Sequence, residues 1–107
     1  MKETVYNKLV RDKIPDIIRQ NGQEPVTRVL TDEEFIAALD SKLQEEVAEY
    51  LENPDIEELA DVLEVLEAIV AMRKISQVEL RRKKNAKALK NGSFRERILL
   101  EKVTTPG

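Results

Sequence analysis

The chain has no cysteine and no histidine. Disulfides, thiolate or imidazole zinc sites, cysteine nucleophiles and histidine-based triads are therefore excluded. Any metal has to be held by oxygen, and any general base has to be a carboxylate or a lysine. Tryptophan is also missing, and only Tyr6, Phe35, Tyr50 and Phe94 are aromatic. The basic stretches therefore lack the interleaved stacking platforms of single-strand binders. With three glycines in all, there is no Gly-rich phosphate loop, which rules out a Walker-type NTPase. No apolar run reaches the ~20 residues that cross a bilayer. Met1-Lys2-Glu3 does not open a signal peptide, so the sequence predicts a cytoplasmic protein with no membrane partner.

What the chain has is charge, at 36% of its 107 residues, with hydrophobic residues at 41%. That balance suits a single domain over residues 1–107, rich in helix and built on one core. The net charge of −3 hides a division: residues 1–30 carry +2, residues 31–70 carry −13 and residues 71–107 carry +8. A sharply acidic middle between basic flanks suggests a cation site beside an anion site. A metal-bound polyphosphate needs both.

The acidic middle reads as two amphipathic helices broken at Asn53-Pro54, from about Asp32 to Glu52 and from about Pro54 or Asp55 to Lys74. Glu49 and Glu58 lie equally far from the break, and so do Glu46 and Asp61. In an antiparallel hairpin, equal counts from the turn place residues level. On each helix the two acids are three apart and share a face. Projected at about 100° per residue, Glu46 falls inside the apolar arc of Phe35, Ile36, Leu39, Leu43, Val47, Tyr50 and Leu51, with Glu49 at its edge. Glu58 falls inside the wide arc running from Ile56 to Met72, with Asp61 at its margin. Glu57, Glu64 and Glu67 project to the polar side. A carboxylate that faces a core is costly unless something pairs with it. Four that converge also repel each other, and a hard divalent cation with oxygen ligands, Mg²⁺ or Mn²⁺, removes both costs.

Elsewhere, Pro15 in a first turn predicts a short helix from Ile14 to Arg19 or Gln20, ended by Asn21-Gly22. Thr31 with Glu34, and Ser76 with Glu79, read as capping boxes. The second of these opens a basic helix that runs to about Lys90. The alternation in 25–30 and 95–101 predicts a minor two-stranded β element, with Pro25 confined to an edge or a strand start. The fold expected is therefore mainly all-α, a bundle of about four helices with that small β addition. Lys8, Arg11 and Lys13 suit phosphate oxygens as charged donors, and equally suit packing of their stems on the bundle.

Glu45-Glu46-x-x-Glu49 followed by Glu58-x-x-Asp61 resembles the paired acidic motifs of the MazG-like superfamily of all-α nucleoside triphosphate pyrophosphohydrolases. YNKLVRDKIPDII at the start and NGSFRERILLEK near the end resemble a small subgroup described as phosphoribosyl-ATP pyrophosphohydrolase-like. The resemblance covers nearly the whole chain. It implies a MazG-like bundle and Mg²⁺-dependent hydrolysis of a nucleoside triphosphate between its α and β phosphates. It implies metal-ligand roles for Glu46, Glu49, Glu58 and Asp61, and a water-activating or supporting role for Glu45. The chain departs from the pattern in a short gap between Glu49 and Glu58, and in Asn91-Gly92-Ser93-Phe94, where a glycine pair is expected before the aromatic residue.

Candidate donors to the departing pyrophosphate are Lys8, Arg11, Lys13, Lys83, Lys84, Lys87, Arg95 and Arg97. Arg11, Lys13, Lys84 and Arg97 rank first because they lie in the segments that carry the resemblance. Hydrolysis of phosphoribosyl-ATP is an enzymatic alternative. A non-enzymatic alternative is nucleic-acid binding through 81–97, against which the acidic hairpin would repel a polyanion. Uncovered apolar surface around Leu66 to Met72 predicts packing against a second subunit, as a dimer or tetramer.

Overall fold

The computed structural model describes residues 2–107. Four helices form among them: α1 (Ile14–Gln20), α2 (Asp32–Glu52), α3 (Ile56–Met72) and α4 (Gln77–Asn91). The fold is all-α. The chain divides into two compact units, Met1–Lys74 and Ile75–Gly107.

In the first unit, α1 starts where Pro15 costs no hydrogen bond and ends at Asn21, followed by Gly22 in the left-handed region. The start of α2 is fixed by a complete capping box. Thr31 Oγ1 accepts from the Glu34 N–H at 3.2 Å, and the Thr31 N–H donates to Glu34 Oε1 at 3.1 Å. Arg28 then grips both Glu34 oxygens, at 3.0 and 2.8 Å.

The turn between α2 and α3 differs from expectation. Pro54 does not open α3; Asp55 caps it, with Oδ1 accepting from the Glu58 N–H at 2.9 Å and Oδ2 accepting from Asn53 Nδ2 at 3.0 Å. An aspartate accepts from an orphan amide, which proline cannot do. At the other end of the hairpin, Arg73 Nη2 approaches Asp40 Oδ2 at 3.8 Å.

Helices α2 and α3 pack on each other through a narrow seam. On α3 the covered positions are Glu58, Asp61, Val62, Val65, Ala68, Ile69 and Met72, the spacing of one helical stripe, with Val70 half-buried beside it. On α2 they include Phe35, Ile36, Leu39, Leu43, Glu46 and Tyr50. Among the described apolar residues only Leu39 and Val65 are buried. The apolar arcs are wider than the contact between the helices. Val47 and Leu51 on α2, and Ile56, Leu59, Leu63 and Leu66 on α3, stay exposed.

The expected β element does not form. Residues 25–30 and 95–101 are irregular, and no strand occurs among the described residues. Pro25 removes a donor at the first position, and Val26 and Val29 have nothing to pack on, at 98% and 97% exposed. A two-stranded ribbon without a covered face is at best marginal in water.

In the second unit, Ser76 caps α4 by accepting from the Glu79 N–H at 3.2 Å. The reciprocal half of that capping box is absent, because the Glu79 side chain turns to Arg82 at 3.2 Å instead. Gly92, with φ of 85°, ends α4. Every described side chain of this unit is exposed. No helix among the described residues is long and apolar enough to cross a membrane.

Candidate metal centre

The seam between α2 and α3 carries acids at its turn end and hydrocarbon beyond. Glu46 and Glu49 occupy the last two turns of α2, Glu58 and Asp61 the first two of α3. Each offers one carboxylate oxygen, and those oxygens all lie within 4.8 Å of one another. Glu46 is buried at 7% exposure, Glu58 and Asp61 are half-buried, and Glu49 is exposed. The site therefore opens on the Glu49 side and is closed behind Glu46.

Two of its oxygens are orphaned. Glu46 Oε2 and Glu58 Oε2 are shielded from solvent and have no hydrogen-bond partner. An unpaired buried acceptor costs free energy of the order of 1–3 kcal/mol, more when charged. The seam contains this fault at the point where the acids meet.

The electrostatics agree with the geometry. Burial pushes the Glu46 carboxyl above the ordinary carboxylate range; the neighbouring Glu49 adds to the shift and Lys42 opposes it. Loss of solvent likewise raises Glu58, with Asp61, Asp55 and Glu46 contributing as like charges. Glu45 behaves in the opposite way. Lys8 Nζ donates to its Oε1 at 3.0 Å and Lys42 Nζ to its Oε2 at 3.4 Å. The Lys8 hydrogen bond is the largest influence holding Glu45 below the usual range. Adjacent glutamates on one helix thus meet opposite surroundings.

The donor set fits a hard divalent cation. All the candidate ligands are carboxylate oxygens, which suit Mg²⁺ or Mn²⁺. Oxygens around one Mg²⁺ at 2.0–2.1 Å lie about 2.9 Å apart when adjacent and about 4.2 Å apart when opposite, so a cluster within 4.8 Å closes up when it takes the ion. The two helix ends at the turn oppose each other, the carbonyl end of α2 being negative and the N-terminal end of α3 positive. The last turn of α2 carries no basic residue, leaving its carbonyl end without a positive charge.

The remaining sequence-derived candidates divide between the units. Arg11 Nη2 lies 2.7 Å from Asp61 Oδ1, so Lys8 and Arg11 both stand against the acids. Lys13 precedes α1 and makes no ion pair among the described residues. Lys83, Lys84 and Lys87 belong to the second unit, where they line a shallow groove with Leu80, Asn91 and Phe94. Arg95 and Arg97 follow in the turn after α4, Arg97 with φ of 58° and its N–H on the Phe94 carbonyl. Composition could not have shown that Lys42 belongs with the site. It reaches Glu46 Oε1 at 3.4 Å from one helical turn earlier, and that four-residue spacing was the available signal.

Comparison with known proteins adds one relative. A 41-residue stretch, 38% of the chain, is 63% identical to a protein of Mycolicibacterium smegmatis described as uncharacterized. The chain covers 42% of that relative's length. No family model and no solved structure matches the chain.

Proposed function

We propose that this protein is a MazG-like nucleotide pyrophosphohydrolase. It cleaves a nucleoside triphosphate between the α and β phosphates, giving a monophosphate and pyrophosphate with Mg²⁺, or Mn²⁺ in its place. The observation that carries this reading is the meeting of four carboxylates from two helices, with two of their oxygens buried and unpartnered. The resemblance of the acidic motifs and of both flanking segments supplies the substrate class.

Glu46, Glu49, Glu58 and Asp61 hold the cation. Such an ion, when bound, offsets phosphate charge and lowers the pKa of an attacking water. Glu45 is a weak candidate for accepting that water's proton, because Lys8 and Lys42 stabilise its ionised form. It acts instead by tying the segment around Lys8 to α2. Lys8 and Arg11 supply positive charge at the edge of the cluster, where a polyphosphate would approach.

The exposed basic face of α4 supports a second reading, in which residues 81–97 bind a nucleic acid and no reaction follows. One comparison separates the two. The chain is incubated with a panel of nucleoside triphosphates and with phosphoribosyl-ATP, in Mg²⁺, in Mn²⁺ and without metal, and the products are identified. Metal-dependent pyrophosphate release supports the hydrolase and names its substrate. Salt-sensitive binding of duplex or single strands without turnover replaces it with the module.

A further inference from the structure

The cations around the cluster are not equivalent. Lys8 and Lys42 both engage Glu45, which stands outside the four converging carboxylates, and Lys42 reaches Glu46 only at 3.4 Å. Arg11 makes the shortest contact of any cation to the four, with Nη2 at 2.7 Å from Asp61 Oδ1. It therefore engages one of the four carboxylates that a metal would need.

The backbone of Arg11 is held while more than half of its side chain is exposed. Its carbonyl accepts from the Ile14 N–H at 3.1 Å, at the start of α1. Three residues earlier, Lys8 ties the same segment to Glu45 on α2. The Arg11 side chain itself is 57% exposed. The guanidinium can leave Asp61 without the segment leaving the hairpin.

We propose that Arg11 is the resident cation of the metal-free cluster. It holds Asp61 until a divalent cation takes that carboxylate, and it then turns to a phosphate-bearing anion at the same place. This exchange rests on the reading of the cluster as a cation site. Arginine does not give up its proton in proteins, so the exchange is a movement of a permanent charge and not its neutralisation. The planar five-donor fork that suits a carboxylate also suits a pair of phosphate oxygens. Four carboxylates carry more charge than a single divalent ion offsets. An incoming polyphosphate meets the residue of that repulsion, and a guanidinium released beside the cluster reduces it.

The test is titration of the full chain with Mn²⁺, followed by loss of the free-ion paramagnetic resonance signal. Arg11→Gln should bind Mn²⁺ about fivefold more tightly than the unaltered chain, the effect of removing one competing charge at a partly exposed site. Its Mn²⁺-loaded form should bind inorganic pyrophosphate about fivefold more weakly. Arg11→Lys keeps the charge and should stay within about twofold of the unaltered chain for Mn²⁺. A measurement that needs no substitution is the Arg11 Nε–H resonance during Mg²⁺ addition, which should move as Asp61 is given up. Unchanged Mn²⁺ affinity in Arg11→Gln, or a resonance that stays still while Mg²⁺ binds, overturns the exchange and leaves the cation site standing. A chain that binds no Mn²⁺ at all removes the cation site, and the exchange with it.

Discussion

Lys8 Nζ stands 3.0 Å from Glu45 Oε1, joining residues 37 positions apart in the chain. The contact explains how an irregular N-terminal segment keeps its place beside the hairpin, since most of residues 2–10 is exposed. It also gives Glu45 a task that does not require touching a metal. Glu45→Gln should loosen residues 2–13, seen as faster amide hydrogen exchange there. The melting temperature should fall only slightly, because partly exposed pairs contribute little. Mn²⁺ affinity should change by no more than about threefold, since the loss is of one nearby charge and not of a ligand.

Glu58 is predicted to behave differently. Glu58→Gln replaces one of the four converging carboxylates by a neutral amide and should weaken Mn²⁺ binding by about 100-fold or more, beyond what loss of a supporting hydrogen bond costs. Turnover should disappear with it. Helix α3 should persist, because Asp55 caps the Glu58 backbone N–H and not its side chain. Without metal the variant should melt higher than the unaltered chain, because its like-charge neighbours no longer meet an anion. Calorimetry with and without Mg²⁺ measures both effects.

Stability should depend on pH in two opposed steps. Glu34 is lowered from 4.5 to about 2, chiefly by the Arg28 hydrogen bonds and then by the Thr31 backbone. A depressed carboxyl stabilises the fold above its unfolded pKa, and that contribution is lost as pH falls from about 4.5 toward 2. Glu45, lowered by Lys8, adds to the same loss. Glu46 and Glu58 are raised by burial and act in the other sense. Their ionised forms cost stability at neutral pH, and the cost is relieved as they take protons on the way down to about 4.5, where the unfolded chain protonates too. Metal-free melting temperature should therefore rise on mild acidification and then fall below pH 4.5. Saturating Mg²⁺ should lift the neutral end and flatten the rise.

A stripe on α3 is left without a partner in its own unit. Leu59, Leu63 and Leu66 follow the spacing of one helical face, and each is 42% or more exposed. The region first expected to meet a second subunit, Leu66 to Met72, is partly used within the hairpin, since Ile69, Val70 and Met72 are half-buried. We expect self-association centred on Leu59, Leu63 and Leu66, because contiguous exposed apolar surface of this kind marks interaction sites. Sedimentation at micromolar concentration should show a dimer or larger species, and Leu63→Glu should shift it toward monomer. A monomer at every concentration contradicts this assignment.

How much of this was legible in the sequence depends on the range of each interaction. The start of α2 rests on Thr31 and Glu34, three residues apart, and could be read from local chemistry alone. Asp55 was missed as the cap of α3 because Pro54 beside it competes as a helix-opening residue. The meeting of Glu46, Glu49, Glu58 and Asp61 agrees with equal counts about one turn, an argument that needs only the hairpin. Periodicity overstated the burial of Leu63, since it gives the width of an apolar face but not how much of it finds a neighbour. The strand expected at 25–30 was overread for the same reason, because alternation says nothing about whether a covering surface exists. The contacts from Lys8 to Glu45 and from Arg11 to Asp61 span 37 and 50 residues. No local pattern encodes such pairs, and the structure was required to see that these cations face the acids.

The central claim is that Glu46, Glu49, Glu58 and Asp61 grip a divalent cation. Anomalous diffraction from a crystal grown with Mn²⁺ tests it most directly. The account predicts a manganese peak between α2 and α3, with oxygens of these four side chains in its coordination sphere. Ordered density for all four side chains with no peak between them would contradict it.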